Sequence, residues 1–374
     1  MENARQTYDL FVQNQVKHTS HTLEWLPITH VDSDDTKFEF QYFLMGTHHD
    51  ESFEDTVDKL QLARLRLPTQ SLKLEELQAL SSVQSSLSRL EIVKEFDHQD
   101  EVIKARAMPQ HLSTVASMTN SGNINIYNVP EIISPQEQCE VQRLKTTLIG
   151  LEEESFALSW NKQQQGLICS ASAKTIAIWD INKQNTPTVT IAEAHTDAVN
   201  DVKFSGHPAH GGNVMISTAD DGHFKVWDMR DTSRFTMTYK SAEDSLCVGQ
   251  FNPINENLFV VAGDSSGNIC LWDMRMQLGA LHEFCHHSKQ VTLLEWCPSN
   301  EYLLASGSDD NKVYIWDSSL LGMEQGRHDY EDGPPELVFP HMYHTSAIED
   351  LQWCPSSSSH FNMAIASVET NMLH

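Results

Sequence analysis

The chain has 374 residues, 40% of them apolar and 21% charged, a balance that belongs to a globular protein and excludes a disordered one. It contains no run of 18 apolar residues, so no membrane-spanning helix is expected. Acids outnumber bases 52 to 25, and the formal charge of −27 opposes direct binding to nucleic acid phosphates while favouring a basic partner.

Residues 1–20 are expected to form an N-terminal α-helix, because Tyr8, Phe11, Val12 and Val16 recur with a helical period. Glu2, Arg5 and Asp9 stand where a signal peptide would be apolar. The segment from His21 to Ile28 is extended and reads as stopped by Pro27. An alternating run from Phe38 to Leu44, the turn Gly46-Thr47-His48-His49 and the run from Leu60 to Leu65 read as strands of a first, atypical unit. Residues 69–88, rich in Ser, Gln and Leu, read as an insertion.

From Leu90 onward one strand pattern recurs five times: Asn123 to Tyr127, Thr175 to Trp179, His223 to Trp227, Asn268 to Trp272 and Lys312 to Trp316. Four copies are followed by an aspartate, namely Asp180, Asp228, Asp273 and Asp317, and their tryptophans are 48, 45 and 44 residues apart. A β-rich period of that size signals a radial array in which each unit buries its faces against neighbours. Strands ending in Trp160, Phe204, Phe251, Trp296 and Trp353 precede the repeated one at even spacing. With the atypical first unit, the count is a seven-bladed, all-β propeller over residues 21–374, with the N-terminal helix on its side. Blade seven starts at Pro340 and looks cut short at His374, so continuation of the native chain is expected. The segment from His21 to Ile28 is expected to supply its outer strand.

Nineteen histidines invite a catalytic or metal reading. In blade four, His195, Ser217, Asp221 and Trp227 form a set that recurs in blade six as His287, Ser306, Asp310 and Trp316. Asp can orient the imidazole, the imidazole can meet the hydroxyl, and the hydroxyl can meet the indole N–H, so buried polar groups are satisfied in series. Such repetition reads as structural, since a catalytic serine needs an oxyanion hole and an exposed position and a set that occurs twice suggests neither. Blades three and five have lost the pattern, with Leu151 and Glu243 near the histidine position. Cys285-His286-His287 has no second cluster at ligand spacing, so no metal is expected. Without a glycine-rich phosphate loop no nucleotide cofactor is expected either. The chain reads as a non-enzyme. Its seven cysteines, with no Cys-x-x-Cys, suit a reducing compartment.

Residues 328–339 break the repeat. They place Asp329, Glu331, Asp332 and Glu336 beside Pro334-Pro335 and the apolar Leu337, Val338 and Phe339. Pro-Pro stiffens the backbone and lowers the entropy cost of presenting acids to a partner.

The segments Glu331 to Leu337, Tyr8-Asp9-Leu10, Trp25-Leu26-Pro27, Gly46-Thr47-His48, Glu101-Val102 and Ala105 to Gln110 resemble the retinoblastoma-binding, MSI-type histone-binding WD-repeat proteins. That family includes the small subunit of chromatin assembly factor and the histone acetyltransferase type B subunit. The resemblance implies a side groove for the first helix of histone four. Tyr8, Phe11, Val12, Leu337 and Phe339 would supply its apolar walls, and Asp329, Glu331 and Asp332 would meet basic side chains. It also implies a top-face site for the basic tail of histone three, with Glu101, Glu154, Phe156 and Glu369 at matching positions. Asn200, Gln290 and Thr292 depart from the family's acidic and aromatic residues there, and Lys17-His18-Thr19 replaces its Glu-Trp-Pro.

The function implied is a histone-binding chaperone or scaffold subunit of larger chromatin complexes. The expected compartment is the nucleus, with the cytoplasm as a second one, and neither membrane nor direct nucleic acid binding is expected. The alternative is a ribosome-assembly chaperone of the glutamate-rich WD type carrying a basic ribosomal protein. A generic ubiquitin-ligase adaptor is a third reading.

Overall fold

The computed structural model describes residues 12–16, 18–48, 57–68, 90–98, 100–130, 144–151, 156–241, 245–263, 266–276, 278–325, 333–355, 364–369 and 372–373. These form seven four-stranded antiparallel sheets, one per blade. Blade four shows the plan: Val199–Phe204 pairs with Val214–Ala219, then His223–Asp228, then Asp231–Lys240. The first strands of all seven blades pack against one another around the ring, with Leu23–Val31 of blade one lying beside Ile348–Trp353 of blade seven. Inner strands are covered on both faces, whereas Asp231–Lys240 on the outer edge is mostly exposed.

Adjacent blades are stitched by the aromatic residues that end the inner strands. The indole N–H of Trp160 donates to the carbonyl of Arg106 (2.9 Å), and that of Trp353 donates to Glu295 (2.8 Å), each in the preceding blade. Such bonds are worth on the order of 1 kcal/mol each, so the rings' own apolar burial supplies most of the hold. Trp179 and Trp316 are fully buried between blades.

Three expectations change. First, among the described residues there is no α-helix; Pro208–His210 and Ser318–Leu320 are single 3-10 turns. Tyr8 and Phe11 lie outside the described residues, but Asn14–Gln15 is a strand, and Val12 and Val16 pack onto the core shared by blades seven and one. A spacing of four residues is common to helix and strand, which is why Val12 and Val16 fit either period. Second, blade seven receives its outer strand from Asn14–Gln15, paired with Leu373 and Met372. Third, the segment expected to do this is the innermost strand of blade one, Leu23–Val31, with Trp25 opposite Phe43. Leu23, Trp25 and Leu26 are buried on both faces of the strand, whereas the outer strands Asp231–Lys240 and His282–Cys285 leave one face exposed. The strand continues past Pro27 because a register shift between Leu26 and Thr29 places the residue without an N–H at an irregularity. The expected insertion at 69–88 lies outside the described residues.

Candidate binding surfaces

The repeated polar sets come first, because they decide what the histidines are for. His195 Nδ1 lies 3.1 Å from both oxygens of Asp221, and its Nε2 lies 2.7 Å from Ser217 Oγ. Trp227 Nε1–H donates to the same Oγ at 2.9 Å. His287, Asp310, Ser306 and Trp316 repeat the geometry, with 2.8 Å for both the His–Ser and the Trp–Ser contact. Burial drives the His195 pKa down to about 4, so the ring is neutral at pH 7. Burial would raise Asp221, but N–H donors from Thr196 and His223, together with His195, hold it at about 2. Ser217 and Ser306 are wholly inaccessible, and a nucleophile sealed from substrate cannot act.

Two further versions carry no Ser-to-Trp signature in the sequence. In blade two, Ser117 Oγ lies 2.9 Å from His98 Nε2, while Nδ1 contacts the carbonyl of Asp100 in place of a carboxylate. In blade seven, His344 Nε2 lies 2.8 Å from Ser367 Oγ. The signal available in blade two was the ten-residue step from Ser117 to Tyr127, equal to that from Ser217 to Trp227. Where Ala262 occupies the serine position in blade five, Trp272 Nε1 makes no hydrogen bond among the described residues.

The face on which the inner strands begin holds the expected peptide residues that are described. Glu101 lies between His48 (2.7 Å) and His21 (3.7 Å). Phe156 is 59% exposed, and Lys104 Nζ donates to its carbonyl at 3.4 Å. Glu154 lies outside the described residues. Glu369 departs from its expected role: it is 1% exposed, and its carboxylate accepts from the backbone N–H of Thr345 (2.6 Å) and Ser346 (2.7 Å). It anchors the entry to blade seven instead of facing a peptide. Asn200 ties blade four to blade five, donating to Asp220 (2.7 Å) and to the carbonyl of Leu246 (3.0 Å). Gln290 donates to Asp309 at 2.5 Å, and Thr292 Oγ1 is buried without a hydrogen bond among the described residues.

Deeper in the ring, a cavity of about 220 Å³ is lined by Glu24, Lys104, Arg106, Lys162, Lys203, Glu295 and Asp350 among others. Burial raises Glu24 to about 7 and Glu295 to about 8, and lowers Lys104 to about 8. Arg106 Nη2 spans both oxygens of Asp350 at 3.0 and 2.7 Å.

On the outer rim, Asp329, Glu331 and Asp332 lie outside the described residues. The loop end that is described is firmly held. Gln325 donates to the carbonyl of Gly333 (2.9 Å), and Leu337 N–H returns to Pro334 (2.9 Å). Glu336 is buried, with one oxygen 2.8 Å from His282 Nε2. Leu337 and Phe339 sit on the outer strand of blade six, opposite Trp316 and Ile315. Val12 sits beside the outer strand of blade seven, so these apolar residues occupy the rims of neighbouring blades.

A family model described as histone-binding protein RBBP4 or a subunit of the CAF1 complex matches residues 1–69. A second, the EIPR1 beta-propeller, matches residues 53–317. The histone acetyltransferase type B subunit 2 of Debaryomyces hansenii is 30% identical over 367 residues, covering 95% of this chain and 84% of that protein. The chain belongs to the RBBP4/CAF1 histone-binding family, with a β-propeller of the EIPR1 type. The protein of the same name from Candida glabrata is 29% identical over 375 residues, covering 98% of this chain and 84% of its own length. A chain in a solved structure described as the crystal structure of mitotic checkpoint complex superposes with a TM-score of 0.66. It covers 96% of this chain and 89% of that one at 14% identity, a likeness of fold alone. Both curated relatives are named as subunits of a histone acetyltransferase.

Proposed function

We propose that this chain is a non-catalytic, histone-binding subunit of a histone acetyltransferase type B or chromatin assembly complex, working in the nucleus. The observation that carries this reading is 30% identity to a histone acetyltransferase type B subunit 2 over 95% of the chain. The match of residues 1–69 to a histone-binding family model supports a binding role for the N-terminal segment. The first helix of histone four lies between the segment from Tyr8 to Val16 and the loop from Asp329 to Phe339. Apolar side chains of that helix meet Phe11, Val12 and Leu337, and basic ones meet Asp329, Glu331 and Asp332. The rigid seat of Gly333 to Leu337 on blade six favours this arrangement, since a pre-ordered wall lowers the entropy cost of binding.

Reversing Asp329, Glu331 and Asp332 to Lys should weaken a histone-four helix peptide by about 2 kcal/mol or more, roughly thirtyfold. Phe11→Ala should separately cost about 1 to 3 kcal/mol through lost packing. Calorimetric titration of the folded variants reads both, and undiminished affinity in the two would remove the groove.

The basic tail of histone three binds the top face near Glu101, Glu154 and Phe156, with Phe156 free to stack on a guanidinium. Its affinity should fall as salt rises. The Glu101→Lys, Glu154→Lys double variant should bind the tail peptide more weakly still, and equal affinity would eliminate this second site.

A further inference from the structure

Where blades seven, one and two meet, three potential ligand atoms converge from distant parts of the chain. His21 immediately precedes the inner strand of blade one, His48 follows its second strand, Phe38–Gly46, and Glu101 precedes the inner strand of blade two, Lys104–Met108. One donor atom from each lies within 4.8 Å of the other two. Glu101 Oε1 is 2.7 Å from His48 Nδ1 and 3.7 Å from His21 Nε2. A tetrahedral zinc ion with bonds of about 2.0 to 2.1 Å holds its donors about 3.3 Å apart, so these two gaps bracket what it requires.

Three details point to a ligand and not merely to a charge pair. His48 Nδ1 is buried and makes no hydrogen bond among the described residues, although Glu101 Oε1 lies 2.7 Å away. A cation bound beside the neutral ring would take the in-plane lone pair of Nδ1 together with the carboxylate. On the far side of His21, Nδ1 lies 3.0 Å from Glu349 Oε2, in the inner strand of blade seven. With a cation on Nε2, a carboxylate there holds the remaining proton on Nδ1, the arrangement that orients metal-binding histidines. Finally, the backbone around the site is built to hold it. His48 N–H donates to the carbonyl of Thr19 (2.9 Å), Thr19 Oγ1 donates back to His48 (2.7 Å), and Gly46 abuts Val102 where a Cβ would collide.

We propose that His21, His48 and Glu101 form a divalent metal site of the zinc type, with Glu349 positioning His21 and a fourth ligand position left open. Two imidazoles and one carboxylate suit Zn²⁺ and not Ca²⁺ or Mg²⁺, which take oxygen ligands. The excess of acids over bases raises the local concentration of cations. No metal is expected from the sequence because ligand spacing is legible only where ligands lie close together in the chain; these three span residues 21 to 101, and Glu349 is 328 residues from His21.

The test uses the full chain, stripped with a chelator and then titrated with Zn²⁺ against a competing chromophoric chelator. One equivalent is expected, and Co²⁺ in its place should give the intense visible absorption of a four-coordinate ion. His21→Ala, His48→Ala and Glu101→Gln should each weaken zinc binding by about tenfold or more, and Glu349→Gln by roughly tenfold with stoichiometry retained. His30→Ala, an exposed histidine elsewhere in blade one, should change nothing. Thermal melting of each variant without metal confirms that the ring is folded. Absence of bound zinc in the wild type, or affinity unaltered by both His21→Ala and Glu349→Gln, overturns the site. No histone peptide enters the measurement, so its failure leaves the histone reading untouched, and the converse holds.

Discussion

Asp350→Ala should destabilise the ring by about 3 to 5 kcal/mol, the cost of leaving a buried partner charge uncompensated. The side chains of Arg106 and Asp350 are 14% and 4% exposed, and Arg106 Nη2 approaches both carboxylate oxygens. The same carboxylate accepts the backbone N–H of Leu23 at 2.8 Å, and Arg106 Nη1 donates to Thr22 Oγ1 at 2.8 Å. Asp350 belongs to blade seven, Thr22 and Leu23 to the start of blade one, and Arg106 to blade two. The group is therefore a clasp across the closure of the ring, and its loss opens the closure as well as burying a lone guanidinium. Denaturant unfolding of Asp350→Ala against wild type measures the cost. An Arg106→Met, Asp350→Leu double variant should recover part of it, because it removes both charges together. A loss below about 1 kcal/mol for Asp350→Ala would show that closure rests on apolar packing alone.

The second large effect is a dependence on pH. His195 titrates near 4 in the folded chain against an ordinary value of 6.5, chiefly through burial, with His223 and Lys225 pushing the same way and Asp221 opposing. Between those two values the unfolded chain binds a proton that the folded chain refuses. Stability from this histidine is therefore complete above pH 6.5 and is lost as pH falls toward 4, by on the order of 3 kcal/mol. His287 is shifted the same way by burial. Glu24 and Glu295 act with the opposite sign: raised from 4.5 to about 7 and about 8, they favour the folded chain below pH 4.5 and lose that contribution as pH rises through those values. The histidine contribution is isolated by difference. His195→Gln keeps hydrogen-bonding capacity without a titrating ring, so its deficit relative to wild type should shrink by most of that amount between about pH 7 and pH 4. A deficit that stays constant over this range would mean that His195 does not carry the shift.

Much of the ring is legible in local pattern. The ten-residue step from Ser217 to Trp227 and from Ser306 to Trp316 is the register of a hairpin, and a hairpin's register is local. The period of the Trp-Asp strands likewise reports a repeated unit, and seven such units make a closed ring. The acidic excess and the segments shared with histone-binding relatives are also properties of the linear chain.

What only the tertiary structure decided depends on where the ring closes. Val12 and Val16 fit helix and strand alike, and the choice fell to the unpaired edge of Met372–Leu373, which accepts Asn14–Gln15. Leu23–Val31 became an inner strand because its apolar residues find blades on both sides, a fact that no local period encodes. Glu369 matches an acidic position in sequence, yet the backbone N–H groups of Thr345 and Ser346 turn it inward. His21, His48, Glu101 and Glu349 carry no common spacing; they meet because the first and last blades are neighbours. Contacts between chain ends are set by closure of the whole ring, and a closure is a sum over seven packed interfaces instead of a pattern in any one of them.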